Sequence, residues 1–287
     1  MPEYLTLPQA PGAVLTWAGT DATLVAADWL AFVNYAEHAP APKTDRVATL
    51  KGSVSEGVEW AGTHSFEEAL RLAREGSPND AAKLNNAVLA IKARETRDVV
   101  PVRRYDVAGE RPDIARACGG DPASMLTRKR SARRTAPIVR LVVHLGALSD
   151  VSGAQKTNRG AAILALVDQL ENAGQRVELT GVTCASQWGN GTWTTRITLK
   201  QADEPLNLDV LAFALVNPAT QRFLDFACRC SHPTVNFAGM GSSRSVPAEA
   251  GTIYFDVIRF SRTWNDPITA AATIQAEYEV AIGRFAA

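Results

Sequence analysis

Seven cations lie close together in a turn-rich part of the chain: Arg103, Arg104, Arg128, Lys129, Arg130, Arg133 and Arg134. Tyr105 stands beside the first pair, and Trp188 and Trp193 flank a Gly189-Asn-Gly191 turn. A guanidinium donates two parallel hydrogen bonds to a phosphate and also stacks on bases. Cations on a loop with aromatic rings nearby suit single-stranded nucleic acid, the cations taking backbone phosphate and the rings taking bases. The same cations also fit a solvated loop, or a loop paired with acidic parts of the protein. A tryptophan in such a place is equally a core residue.

Other residue sets are candidates for metal chemistry. Cys228-Arg-Cys-Ser-His232 sets three soft ligands at alternate positions, but no second pair completes a zinc site, so buried thiols are the plainer reading. Asp150-Val-Ser152-Gly resembles the Asp-x-Ser-x-Ser metal motif of von Willebrand A-type domains, whose oxygens suit a hard cation such as Mg²⁺. Ala154 replaces the second serine of that motif, and Asp150 stands beyond the end of the preceding strand. A turn closed by a Ser/Asp cap accounts for the same residues. The histidines His38, His64, His144 and His232 lie in no recognised nucleophile or zinc-protease pattern. There is no P-loop and no Gly-x-Gly-x-x-Gly after a strand. No cofactor, bound metal or catalytic residue is expected.

The composition is that of an ordinary globular chain, with 46% apolar and 21% charged residues over 287 positions. Four cysteines are too few for a disulfide scaffold, and no apolar run approaches the length of a membrane span. A cytoplasmic protein is expected. The formal charge is zero, with 30 basic and 30 acidic residues, yet the charge is unevenly distributed. Residues 1–91 carry 6 basic and 11 acidic side chains, residues 92–140 carry 13 and 6, and residues 141–287 carry 11 and 13. The middle segment is therefore where an anionic partner would be sought.

The elements that must position these residues read as mixed α/β. Residues 1–60 read as an irregular arm with one helix near Asp28–Glu37. Residues 61–137 read as a helical and basic-loop region, with helices from Ser65, capped with Glu68, to Gly76 and from about Asn79 to Arg97. Val99–Tyr105 is an edge-strand candidate and Asp113–Cys118 a short helix. Residues 138–287 read as the α/β core, either by itself or as one continuous domain with 61–137. Ile138–His144, a helix capped at Asn158 and running to Ala173, and Arg176–Thr183 form a Rossmann-like strand–helix–strand unit, which predicts parallel pairing. The alternating strand Thr192–Lys200 predicts a mixed sheet. Helices over Asn207–Val216 and Pro218–Arg229, a strand over Thr252–Phe260 and a final helix capped at Asp266-Pro267 complete the pattern.

At Arg103-Arg-Tyr-Asp-Val-Ala-Gly-Glu-Arg-Pro-Asp-Ile-Ala-Arg116, and again at Asn158-Arg-Gly-Ala-Ala-Ile-Leu-Ala-Leu-Val-Asp-Gln-Leu-Glu-Asn-Ala-Gly174, the chain resembles uncharacterised α/β proteins encoded in tailed-phage genomes. The likeness runs loosely from Trp60 to Phe260. Within phages it is similar to the single-stranded-DNA-binding RNA polymerase cofactors of lytic podophages. The resemblance implies a non-enzymatic transcription or replication cofactor with single-stranded DNA and the phage RNA polymerase as partners; a homo-oligomer is expected beside these, the basic loop pairing with the acidic N-terminal third of a neighbouring copy. Arg103, Arg104, Arg128, Lys129, Arg130, Arg133 and Arg134 would neutralise phosphate, while Tyr105, Trp188 and Trp193 would stack bases. Two alternatives stand beside it: a structural or assembly protein, and a metal-dependent phosphoryl-transfer enzyme using Asp150 and Ser152.

Overall fold

The computed structural model describes residues 10–18, 21–39, 61–95, 104–106, 111–127, 137–186, 191–230 and 243–286. The centre of the fold is the pair β6 (Ile138–His144) and β7 (Arg176–Ser186), joined through helix α5 (Gly153–Asn172) and paired in parallel from Ile138↔Arg176 to His144↔Val182. This is the expected strand–helix–strand unit. Strand β8 (Thr192–Lys200) pairs antiparallel with β7, and β9 (Ile253–Phe255) pairs parallel with the other edge of β6.

The first sixty residues contain more than an irregular arm. β1 (Ala13–Ala18) and β2 (Asp21–Ala26) form an antiparallel hairpin, and β2 pairs in parallel with β8. The sheet order is β1-β2-β8-β7-β6-β9. Ala22, Leu24 and Ala26 are buried while Asp21 and Val25 are exposed, the alternation of a strand covered on one face. At six residues each, these strands were too short to stand out as periodic pattern. Helix α1 (Trp29–His38) follows close to its expected place, with Asp28 accepting from the Ala31 amide at 2.7 Å.

Helices α2 (Phe66–Glu75) and α3 (Pro78–Glu95) also follow the sequence pattern. Ser65 Oγ accepts from the Glu68 amide, and Glu68 in turn accepts from the His64 amide at 2.7 Å. Trp29 Nε1 donates to the Ala73 carbonyl at 2.7 Å and so ties α1 to α2. A separate three-stranded sheet is made of β3 (Arg104–Asp106), β4 (Arg111–Pro112) and β5 (Met125–Thr127), with the short helix α4 (Ile114–Cys118) between β4 and β5.

Three expectations in the C-terminal half change. Helix α5 starts five residues before Asn158, because Ser152 and Gln155 form a complete capping box. Asn158 sits inside the helix and donates to the Trp264 carbonyl at 2.9 Å. The helix expected from Pro218 follows α6 (Leu208–Val216), but it opens as a π-helical segment, Thr220–Asp225, before becoming α7 (Phe226–Cys230). The strand expected to reach Phe260 ends at Phe255, where the ladder with β6 is interrupted as the Asp256 carboxylate takes the Val257 amide at 2.6 Å; a single parallel bridge, Ala147↔Ile258, follows. Helix α8 (Pro267–Ala286) closes the fold with Asp266 accepting from the Thr269 amide. Among the described residues no helix is long and apolar enough to cross a membrane.

Candidate functional site

In α/β sheets ligands bind outside the carboxyl ends of parallel strands. Here that place is the end of β6, between β7 and β9. A cleft of about 340 Å³ lies there, lined by Ala147 and Ser149–Gly153 of the β6–α5 loop, by Lys156 of α5, and by Pro218, Gln221 and Arg222 at the start of the π-helical segment.

Local chemistry holds each wall. Gln221 Oε1 accepts from the Ala147 amide at 2.9 Å and its Nε2 donates to Ser243 Oγ at 2.7 Å, so one side chain clamps the loop after β6. Ser152 and Gln155 consume two donors of the first turn of α5 through their capping box. The amides of Gly153 and Ala154 are the remaining first-turn donors, and the positive end of the helix dipole lies at this wall. The π turn widens the helix at Gln221 and Arg222, a distortion that recurs at functional sites.

The cleft is cationic and its cations are buried. Lys156 is 5% exposed; its Nζ donates to the Asn217 carbonyl at 2.9 Å, and among the described residues no carboxylate pairs with it. Burial, with the neighbouring Arg222 and Arg159 cations, pushes its pKa down to about 7. Arg222 is 6% exposed, and burial pushes it down to about 10. Arg159, also buried, donates to the carbonyls of His144 (3.1 Å), Phe255 (3.2 Å) and Asp256 (2.5 Å), so its guanidinium ties together the carboxyl ends of β6 and β9.

His144 ends β6 and is fully buried. Its Nδ1 accepts from the Gly146 amide at 3.0 Å and its Nε2 faces the Arg244 carbonyl at 2.9 Å. A carbonyl only accepts, so the network assigns a neutral ring with the proton on Nε2. Burial, and then the Arg159 cation, lower its pKa to about 4. A set of buried donors with no acid among the described lining residues except exposed Asp150 is an arrangement for holding an anion.

Of the residues expected to bind nucleic acid, Arg103, Arg128, Lys129, Arg130, Arg133, Arg134 and Trp188 lie outside the described residues. Arg104 and Tyr105 are on β3. Trp193 is corrected to a core residue: it is 2% exposed, and its Nε1 donates to Thr195 Oγ1 at 2.8 Å. Thr195 Oγ1 donates on to Asp225 Oδ1 at 2.6 Å, and Asp225 pairs with buried Arg229. Its ring therefore presents no free face to a base. Trp264 is also buried, while Phe260 is exposed. Cys228 and Cys230 are buried thiols on α7. Ser152 is a cap, as ordinary turn chemistry accounts for it, and Asp150 is exposed. Among the described residues no three His, Cys, Asp or Glu side chains lie together as a metal site would require.

The family model described as "Domain of unknown function (DUF7192)" matches residues 20–280. The chain belongs to this family. The DUF7192 match runs from the start of β2 into α8 and includes every residue that lines the cleft. No curated protein and no solved structure matches the chain.

Lys156, Arg159, Gln221 and Arg222 were not singled out from the sequence. The available signal was the run Gln155-Lys-Thr-Asn-Arg159 opening a helix straight after a buried strand, where polar residues have little solvent to face. Recognising it needed the true helix start at Ser152.

Proposed function

We propose that this DUF7192 domain is a binding module for a compact ligand carrying an oxyanion, such as a phosphate or carboxylate, held at the carboxyl end of β6. The observation that carries this reading is the cleft itself, in which Lys156, Arg222 and the amino end of α5 converge. The amide donors at the amino end of α5, the Lys156 amine and the fork of the Arg222 guanidinium together suit the oxygens of a bound oxyanion. Binding measured by thermal shift and calorimetry with phosphate and sulfate, at constant ionic strength, tests it. Stabilisation by these anions, lost in Arg222→Met, is expected; equal effects of chloride, or an unchanged response in the variant, would overturn it.

A second reading keeps single-stranded DNA as the ligand, in a phage transcription or replication cofactor that meets RNA polymerase or a second copy of itself. It is favoured by the pairing of Arg104 with Thr127, which sets the entry to β3 and the exit from β5 at one end of the small sheet. Those two points adjoin, in sequence, Arg103 and the run Arg128–Arg134. Titration of a labelled oligonucleotide across salt tests it. Affinity should fall with salt, and replacing the cations between Arg128 and Arg134 with alanine should abolish it; no affinity at low salt would end this reading.

A further inference from the structure

The protein buries two lysines almost equally, Lys156 at 5% exposure and Lys200 at 2%. Lys200 meets Glu171 at 2.7 Å and donates to the carbonyls of Val177 and Gln201, so it is held as a neutralised ammonium. Among the described residues Lys156 has one acceptor, the Asn217 carbonyl. The charged groups around it come from each element packed against it. Arg159 lies on its own helix, Arg222 on the π-helical segment, Asp150 on the cleft wall, and Asp80 near the start of α3. Asp80 is already engaged: its Oδ2 accepts from Ser77 Oγ and from Asn217 Nδ2, each at 2.7 Å, and Lys83 stands 3.7 Å from its Oδ1.

We propose that Lys156 is a nucleophilic amine, and that the cleft takes a ligand bearing an aldehyde or keto carbonyl beside its anionic group, captured by Lys156 as an imine. This rests on the anion-binding reading and deepens it by naming the reactive half of the ligand. A lysine set in a dry site beside other cations is held as the free amine, which is the form that attacks carbonyls. Its depressed pKa agrees with that arrangement. The neutral amine donates one hydrogen to Asn217 O and keeps its lone pair. Asn217 is itself fixed, since its Oδ1 accepts from the Ala219 amide at 2.9 Å while Asp80 takes its Nδ2. Gly62 permits this, because a Cβ there would meet Asn217 Oδ1 at 2.2 Å.

In the reaction the nitrogen lone pair forms the C–N bond and the carbonyl π pair moves to oxygen. That oxygen leaves as water with the two hydrogens of the amine, and C=N results. No oxidant or reductant takes part. Arg222 receives the anionic group and orients the carbonyl.

The test uses the full chain with glyoxylate, which joins an aldehyde to a carboxylate, and cyanoborohydride to reduce any imine to a stable secondary amine. Intact mass and peptide mapping then locate the adduct. The expected result is selective modification of Lys156 over Lys200 and the exposed lysines, rising with pH and levelling above about 7. Arg222→Met should slow it about tenfold, the loss of roughly one ion pair. Propionaldehyde, which lacks the anion, should label Lys156 about tenfold less than glyoxylate on the same reasoning. Lys156→Arg, with a retained circular dichroism spectrum, should lose the adduct while keeping its thermal stabilisation by sulfate. Modification confined to exposed lysines would overturn the imine proposal. If thermal stabilisation by sulfate persisted in that case, the anion-binding reading would stand; if it too were absent, both would fall.

Discussion

The two ends of the β6–β7 pair solve the problem of a buried cation in opposite ways. Towards the amino end, Lys200 is matched by Glu171 and two carbonyls. Towards the carboxyl end, Lys156 and Arg159 lean on backbone carbonyls, and Lys156 lines an open cleft. A cation compensated internally has nothing left to offer a ligand. One that among the described residues meets carbonyls alone keeps donors that an incoming anion can accept from. The difference in counter-ions, rather than in burial, separates a structural lysine from a functional one.

The largest expected effect is at the compensated end. Lys200→Met leaves the Val177 and Gln201 carbonyls without their buried donor and half-buried Glu171 without its partner, and should cost about 4 kcal/mol in urea denaturation at pH 7; a loss below 1 kcal/mol would erase the contrast. Next comes acid sensitivity at the cleft end. His144 has its folded pKa near 4 against 6.5 for the free side chain, so the unfolded chain binds the extra proton between those values. Stability is therefore fully present above about pH 6.5 and is lost as pH falls towards 4, by about 3 kcal/mol. His144→Gln should flatten that part of the stability–pH curve.

Lys156→Met should act with the opposite sign to Lys200→Met. The amine has a folded pKa near 7 against 10.5 unfolded, so its burial costs most at pH 7 and below and nothing above about 10.5. The variant should gain about 2 kcal/mol at pH 6, with the gain shrinking as pH rises towards 10, while losing anion binding. A destabilised variant at pH 6 would show that Lys156 is compensated after all. The smallest effect distinguishes the helix start: Ser152→Ala should cost about 1 kcal/mol through the lost cap. Asn158→Ala should lose only its bond to the Trp264 carbonyl, about 0.5 kcal/mol. Both are read by thermal unfolding.

Much of the fold could be read along the chain because its elements are periodic. Ile138–His144 and Thr192–Lys200 coincide with β6 and β8, and the Ser65 and Asp266 caps start the helices they were expected to start. Elements whose signal is short or set by distant partners were missed. β1 and β2 are six residues each and are stabilised by joining β8, which lies more than 160 positions away. Pro218 does begin a helical stretch, but only the contacts of Gln221 with Ala147 and Ser243 explain a side chain committed across the cleft from a π turn. Trp193 looked like a candidate platform beside a turn; its burial follows from Thr195 and Asp225, the latter 30 residues further along.

The amino-acid sequence by itself determined the α/β class, the strand–helix–strand centre and most helix ends, since these follow from local hydrophobic period and capping. It also determined that cations are concentrated in residues 92–140. Only the tertiary structure decided which cations could serve a site within the described residues. Lys156 and Lys200 are the same residue type with similar burial, and Glu171 stands nearer to Lys156 in sequence than to Lys200. The sheet carries Glu171 to Lys200 and leaves Lys156 facing Asn217 and the cleft. Counter-ion pairing is a matter of a few ångströms in space, and that distance is set by how strands and helices pack.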